Sequence, residues 1–216
     1  TSVFTLPSLF QDPTDGTQGT LHLPSSTGGS NWEGAAYDPE TGLLYVPSRT
    51  ATSVLSLVNE PDVSSVRYIQ GGSRTPSVDG IPLVKPPYGR ITAIDMNKGD
   101  QLWRIPHGDT PDNIKNNPAL KGLTIPRTGR PGRIGVLTTK TLLIAGEGGF
   151  ATTPDGRGAY LRAYDKATGA DVGQVFMPAP QTGSPMTYMV DGVQYIAVAV
   201  SGPGFAGELL VYKLGT

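Results

Sequence analysis

One internal repeat constrains this sequence more than any other feature. Ile91-Thr92-Ala93-Ile94-Asp95-Met96-Asn97-Lys98-Gly99-Asp100-Gln101-Leu102-Trp103 is matched by Leu161-Arg162-Ala163-Tyr164-Asp165-Lys166-Ala167-Thr168-Gly169-Ala170-Asp171-Val172-Gly173. Both read as an apolar strand, Ala-x-Asp, a turn closed by Gly, and a second strand. A third copy starts at Leu209-Leu210-Val211-Tyr212-Lys213-Leu214-Gly215 and stops before its second strand. Another hairpin precedes each copy, at 34–47, 132–145 and 186–200. The unit is hairpin, spacer, hairpin, and four strands per repeat is the pattern of β-propeller blades. The expected fold is all-β: a single segment, 1–216, of a partial β-propeller. It has about three blades, approximately 28–106, 132–178 and 184–214, built as four-stranded antiparallel sheets.

Composition agrees with frequent reversals of the chain. There are 29 Gly and 20 Pro among 216 residues, which leaves little room for long helices. Short runs rich in Val, Ile, Leu and Tyr predict strands at 34–37, 43–47, 53–58, 90–95, 101–105, 132–138, 141–145, 160–165, 171–176, 186–190, 194–200 and 208–212. Turn signals such as Asn97-Lys98-Gly99, Ala167-Thr168-Gly169 and Asp191-Gly192 separate them. The stretch 106–131 is rich in Asn, Pro and Gly. It is expected to be a long excursion with a helical turn at 114–120.

Two complete blades and three strands of another do not close a ring of four to eight blades. An open arc exposes the apolar faces of its end blades and an unpaired edge. The remaining blades, or a second chain, are therefore expected as partners. A strand from the protein's N-terminal end fits the missing place in the last blade.

Several function classes are excluded or disfavoured. Lys and Arg number 17 against 18 Asp and Glu, so no excess positive charge drives binding to nucleic acid. Without cysteine there is no disulfide, Cys-ligated zinc, iron–sulfur cluster or thiol nucleophile. The longest apolar stretch, about 195–200, is far short of a membrane helix. Residues 1–10 lack the pattern of a signal peptide.

Most tempting residues have a structural reading. Asp95 and Asp165 sit at the same turn of each repeat, where an Asp side chain caps backbone N–H groups. Trp103 ends such a unit and is expected to dock on the neighbouring blade. Gly146-Glu147-Gly148-Gly149-Phe150-Ala151 and Gly202-Pro203-Gly204-Phe205-Ala206-Gly207 resemble dinucleotide loops, but no helix opens after either. Glu147 is expected in a solvated loop, with a minor claim to face a site. His22 and His107 lack metal-ligand spacing. The remaining cluster is Gly28-Gly29-Ser30-Asn31-Trp32-Glu33-Gly34-Ala35-Ala36-Tyr37-Asp38-Pro39. Asn31 offers a donor and an acceptor, and Trp32 a flat apolar face. Such a cluster suits a planar polar ligand at a propeller mouth, and equally a rigid loop leading into a strand.

At this cluster the sequence resembles the pyrroloquinoline-quinone (PQQ)-dependent dehydrogenases, the quinoprotein glucose and alcohol dehydrogenases. The resemblance rests on Gly28-Gly29-Ser30-Asn31-Trp32 and on the hairpin Ala36-Tyr37-Asp38-Pro39-Glu40-Thr41-Gly42-Leu43-Leu44-Tyr45-Val46. It rests also on the blade motif 93–103, on Gly183-Ser184-Pro185-Met186-Thr187-Tyr188 and on Asp191-Gly192-Val193-Gln194-Tyr195. It covers about 17–214 and looks nearest to the glucose-dehydrogenase-like branch. It implies the C-terminal part of an eight-bladed propeller holding PQQ and Ca2+. In that setting a sugar or alcohol passes hydride to the quinone, an aspartate takes the hydroxyl proton, and electrons leave to a cytochrome or ubiquinone. Asn31 corresponds to the asparagine that hydrogen-bonds the quinone oxygens, and Trp32 would border the pocket. The catalytic aspartate, calcium ligands and stacking tryptophan belong to earlier blades and have no counterpart here, so this chain alone is expected to be inactive. A periplasmic or exported location is implied. The competing expectation is a non-catalytic propeller scaffold for protein interaction.

Overall fold

The computed structural model describes residues 4–11, 14 and 16–215. The strands in chain order begin with β1 (Ser8–Leu9), β2 (Thr20–His22), β3 (Ala36–Asp38), β4 (Leu43–Arg49), β5 (Ser53–Val58) and β6 (Ile69–Gln70). They continue with β7 (Ser77–Val78), β8 (Ile81–Pro82), β9 (Gly89–Asp95) and β10 (Asp100–Pro106). After one helical turn, α1 (Asp112–Lys115), come β11 (Val136–Thr138), β12 (Leu142–Gly146), β13 (Ala151–Thr153) and β14 (Gly156–Asp165). The last are β15 (Asp171–Met177), β16 (Met186–Val190), β17 (Val193–Gly202) and β18 (Phe205–Lys213). Among the described residues no helix is long and apolar enough to cross a membrane.

These elements fall into two compact units. The smaller comprises residues up to Gly29 together with Thr50–Lys85. There β5 pairs with β1, β2 and β6, and β7 and β8 form a hairpin. The predicted strand 53–58 therefore joins this unit rather than a blade sheet.

The larger unit, Ser30–Arg49 and Pro86–Thr216, holds three consecutive antiparallel sheets. The first runs β3-β4-β9-β10 and the second β11-β12-β14-β15, with β13 pairing the start of β14. The third, β16-β17-β18, has three strands. Alternation decides which faces are buried. Along β4, Leu43, Tyr45 and Pro47 point inward, and along β9, Gly89, Ile91 and Ala93 do. Tyr45 lies opposite Ala93, so both strands present one apolar face. That face meets Val136, Leu143, Ala145 and Tyr164 of the second sheet. The other face of the second sheet, through Ile144, Ala159, Leu161 and Met177, meets Ile196, Val198 and Val200 of the third. The middle sheet is thus buried on both sides: β12 reads as a continuous apolar run, and β14 is buried without a break from Gly158 to Arg162. Beyond the third sheet, Met186, Leu209 and Val211 remain exposed.

Polar contacts fix how the first sheet seats on the second. Trp103 docks as its place in the repeat suggests: its Nε1–H donates to the Lys166 carbonyl at 3.1 Å, and its ring lies 5.7 Å from that of Tyr45. A Cβ on Gly169 would come within 3.0 Å of the Trp103 ring, and φ there is +73°, so glycine is required twice over. The Tyr45 hydroxyl also donates to the Lys166 carbonyl, at 3.3 Å. The Lys166 ammonium reaches back to Asp38, 2.6 Å away, and both side chains are buried. Asp95 and Asp165 cap their turns as expected, accepting from the N–H of Asn97 at 2.9 Å and of Thr168 at 2.8 Å.

The excursion after β10 holds two short helical pieces rather than one turn spanning 114–120. Pro118 stops α1 from continuing and begins a separate 3₁₀ turn, Pro118–Leu120. The excursion is locked to β9 by close backbone crossing: a Cβ on Gly89 would overlap the Arg130 carbonyl. Hydrogen bonds from Tyr88 N–H to the Thr128 carbonyl and from Arg130 N–H to the His107 carbonyl complete the lock.

Replacing Lys166 by Met strands a buried carboxylate. The variant is expected to lose about 3 kcal/mol of unfolding free energy, measured by chemical denaturation. Adding Asp38→Asn should restore part of that loss. The Lys166 hydrogen bond, helped by Thr41, holds the Asp38 carboxyl below the usual carboxylate range. The depressed carboxyl stabilises the fold above its unfolded pKa, and that contribution disappears as pH falls through the folded value.

Candidate functional site

The first strands of the three sheets start close together. Ser184, just before β16, donates its hydroxyl to the Glu33 carbonyl at 3.0 Å. Gly135, just before β11, packs against Ser184 so closely that any Cβ would collide with it. Arg133 Nε lies 4.0 Å from Glu33 Oε1. Segments that are far apart in sequence thus converge on the loop leading into β3.

Asn31 and Trp32 occupy that loop. Ser30 Oγ donates to the Pro47 carbonyl at 2.8 Å and ties the loop to β4. Asn31 Oδ1 accepts the Trp32 N–H at 2.8 Å, which fixes the carboxamide and directs its NH2 side away from that backbone contact. A further turn bond joins Gly34 N–H to the Asn31 carbonyl. The Trp32 side chain is 96% exposed, a large apolar plane turned to solvent. Arg49 ends β4 within electrostatic reach of Glu33 and Arg133. Burial lowers its pKa, Arg133 adds to that, and Glu33 opposes it.

A second group of charges lies deeper and is closed. Glu147 is fully buried rather than in a solvated loop. Its Oε1 accepts from Arg162 Nε at 2.7 Å and from the Asp109 N–H at 3.1 Å. Arg162 also reaches Asp109 at 3.1 Å and Asp171 at 2.8 Å. Burial works against the Arg162 charge, but Glu147 outweighs it through charge and hydrogen bond, and the pKa is raised. The signal that reading missed is Arg162 itself, a cation within the apolar stretch 159–164 of β14, which needs a buried anion.

His107 is buried beside this network. Its Nε2–H donates to the Gly146 carbonyl, 3.1 Å away, so Nδ1 accepts from the Tyr164 hydroxyl at 2.9 Å. Burial pushes its pKa down to about 4, against the raising effects of the Gly146 carbonyl and Glu147. His22 bonds Ser53 at 2.9 Å in the smaller unit. Among the described residues no group of three His, Asp or Glu side chains is placed to hold a metal ion.

Antiparallel blade sheets joined in series, with their first strands gathered on one another, define part of a β-propeller. The family model of the PQQ glucose/ethanol/alcohol dehydrogenase β-propeller domain matches residues 2–196. The chain belongs to that family. It is 30% identical to the quinate/shikimate dehydrogenase (quinone) of Acinetobacter baylyi, over 92% of this chain and 27% of that protein. It is 34% identical to a quinoprotein alcohol dehydrogenase of Pseudomonas putida, over 86% of this chain and 25% of that protein. With the quinoprotein glucose dehydrogenase of Escherichia coli it shares 26% identity, over 92% and 26%. The structure of the quinohemoprotein alcohol dehydrogenase from Comamonas testosteroni superposes with a TM-score of 0.54 at 22% identity, over 83% of this chain and 23% of that one. The chain spans about a quarter of the length of these relatives.

The neutral His107 gives a pH signature. Its folded pKa lies below the ordinary value near 6.5, so its contribution is complete above that value and is lost as pH falls toward 4. The expected loss is about 3 kcal/mol at the acid end. Melting curves taken between pH 7 and 4 should fall more steeply for the wild-type protein than for His107→Gln. Parallel curves would contradict this account.

Proposed function

We propose that this chain is part of a quinoprotein dehydrogenase that oxidises an alcohol or sugar hydroxyl with PQQ, and that Asn31 and Trp32 help line the cofactor pocket. The observation that carries the reading is the oriented Asn31 carboxamide beside the open Trp32 ring, at the point where the first strands of three blade sheets converge. That donor set fits the group: a planar quinone needs an N–H donor for its carbonyl oxygens and a flat apolar neighbour for its rings. When bound, the quinone supplies the two-electron acceptor for hydride leaving the substrate carbon.

The chain's own part is positional and electrostatic. The Asn31 carboxamide, oriented by the Oδ1 bond to Trp32 N–H, would donate to a quinone oxygen and stabilise negative charge developing there. Trp32 covers apolar ring surface and keeps water from that side. Ser30 and Ser184 hold the loop in place through the Pro47 and Glu33 carbonyls. The calcium ion expected with the quinone is assigned to residues beyond this set. Re-oxidation by a cytochrome or by ubiquinone completes the proposed cycle.

The test is reconstitution of the full-length protein with PQQ and calcium, followed by dye-linked oxidation of glucose, glycerol and quinate. Quinone-dependent turnover is expected with at least one of them, and Asn31→Ala should lower kcat by roughly 100-fold. Quinone binding without turnover on any alcohol would overturn the dehydrogenase reading. Failure to bind quinone at all would favour the scaffold reading. Unchanged kinetics in Asn31→Ala would remove that residue from the pocket.

A further inference from the structure

The blade repeat changes character at one position. The two complete copies put Gly173 where Trp103 stands. Strand pairing makes the same match: Trp103 lies opposite Ala93, and Gly173 lies opposite Ala163. In both sheets the outer strand bulges just before this residue, skipping Leu102 in one and Val172 in the other. Both skipped side chains are exposed. A bulge re-aims the side chain that follows it. In the first sheet that side chain is the indole of Trp103, which docks on the second sheet. In the second sheet the same place carries only a hydrogen.

The surroundings of the two positions correspond residue by residue. Tyr45, the ring beside Trp103, lies opposite Ala93, and Ile144 lies opposite Ala163. Ile105 faces Ile91 across the first sheet, as Val175 faces Leu161 across the second. Lys166, whose carbonyl accepts the Trp103 indole N–H, is matched in the third copy by Leu214. Between the second and third sheets, Gly173, Ile144, Leu161, Val175 and Leu214 all line one cavity of about 380 Å³. Ile196 and Tyr212 line it from the third sheet. A Cβ on Gly173 would meet nothing within 4 Å, whereas one on Gly169 would press against the Trp103 ring. Equivalent places are therefore filled at one blade junction and open at the next.

We infer that this cavity is a binding site for a small, free aromatic molecule, a flat ring system of about the size of indole. Trp103 shows what the geometry of a blade junction in this chain accommodates. The volume falls at the lower end of the ~300–1,000 Å³ typical of small-ligand sites. Walls of Leu, Ile and Val take up an apolar ring more readily than water. At the rim, Gln194 Nε2 donates to Thr187 Oγ1 at 2.8 Å, which leaves Oε1 as the amide atom that can accept a ligand N–H. The inference rests on the repeat and the cavity, and it is independent of the quinoprotein reading.

The experiment is calorimetric titration of the full-length protein, without quinone, with indole and with hexanamide, a straight chain that presents no flat ring. Wild type should bind one indole per chain, and hexanamide about tenfold more weakly. Gly173→Trp carries the ring on the chain itself. It should abolish indole binding and melt no lower than wild type. Gly173→Leu fills less of the space and should weaken indole binding about tenfold. If Gly173→Trp does not fold, Gly173→Leu decides by the same comparison. A wild type that binds no indole would overturn the inference, the result expected if another segment of the full-length chain fills the groove. Equal indole affinity in wild type and folded Gly173→Trp would overturn it too, by placing the ligand elsewhere. Hexanamide binding as tightly as indole would reject the aromatic class. None of these readouts involves PQQ or turnover, so failure here is distinct from failure of the dehydrogenase reading.

Discussion

Lys166 acts at the junction on which the other contacts between the first two sheets depend. Its ammonium group is paired with buried Asp38 from one sheet, and its carbonyl receives the Tyr45 hydroxyl and the Trp103 indole N–H from the same sheet. Apolar packing between sheets is non-directional and would tolerate sliding. The polar contacts are directional and are buried, so a shifted arrangement would leave a charge or a donor without its partner. The angle of the first sheet on the second is set in this way, and with it the approach of β3 to β11.

That approach explains why the candidate site lies where it does. Antiparallel meanders place the starts of their first strands on one edge, and the residues just before them inherit the convergence. Glu33, Arg133 and Ser184 are brought together although about a hundred residues separate the first two and fifty the last two. The same edge carries two kinds of charge. The Glu147–Arg162 network is buried and compensated, which suits it to holding the excursion, β12, β14 and β15 together. The Glu33–Arg133 pair is looser, at 4.0 Å, and its guanidinium is half-exposed.

Much of the blade architecture was legible because its signals are local. Short apolar runs at 43–47 and 90–95, Asp-centred turns at 95 and 165, and glycine at 169 each act within a few residues of themselves. The strands 53–58 and 186–190 have the limits that the sequence suggests. The smaller strands β1, β2, β6, β7 and β8 carry too few residues to show any period. Glu147 was misread for a different reason: glycines on both sides imply a loop, while the partner that buries it, Arg162, is 15 residues away on another strand.

The order of strands, the blade repeat and the chemical types of Asn31 and Trp32 follow from the sequence itself, since each depends on neighbouring residues and on backbone preferences that act at short range. Which charges meet was decided only by the tertiary structure. The apolar neighbours of Arg162 imply that it needs an anion but do not say which one, and packing encloses it among three carboxylates while Arg133 faces outward with one. The energy of a charge depends on what surrounds it in space, and in this chain those surroundings come from segments distant in sequence.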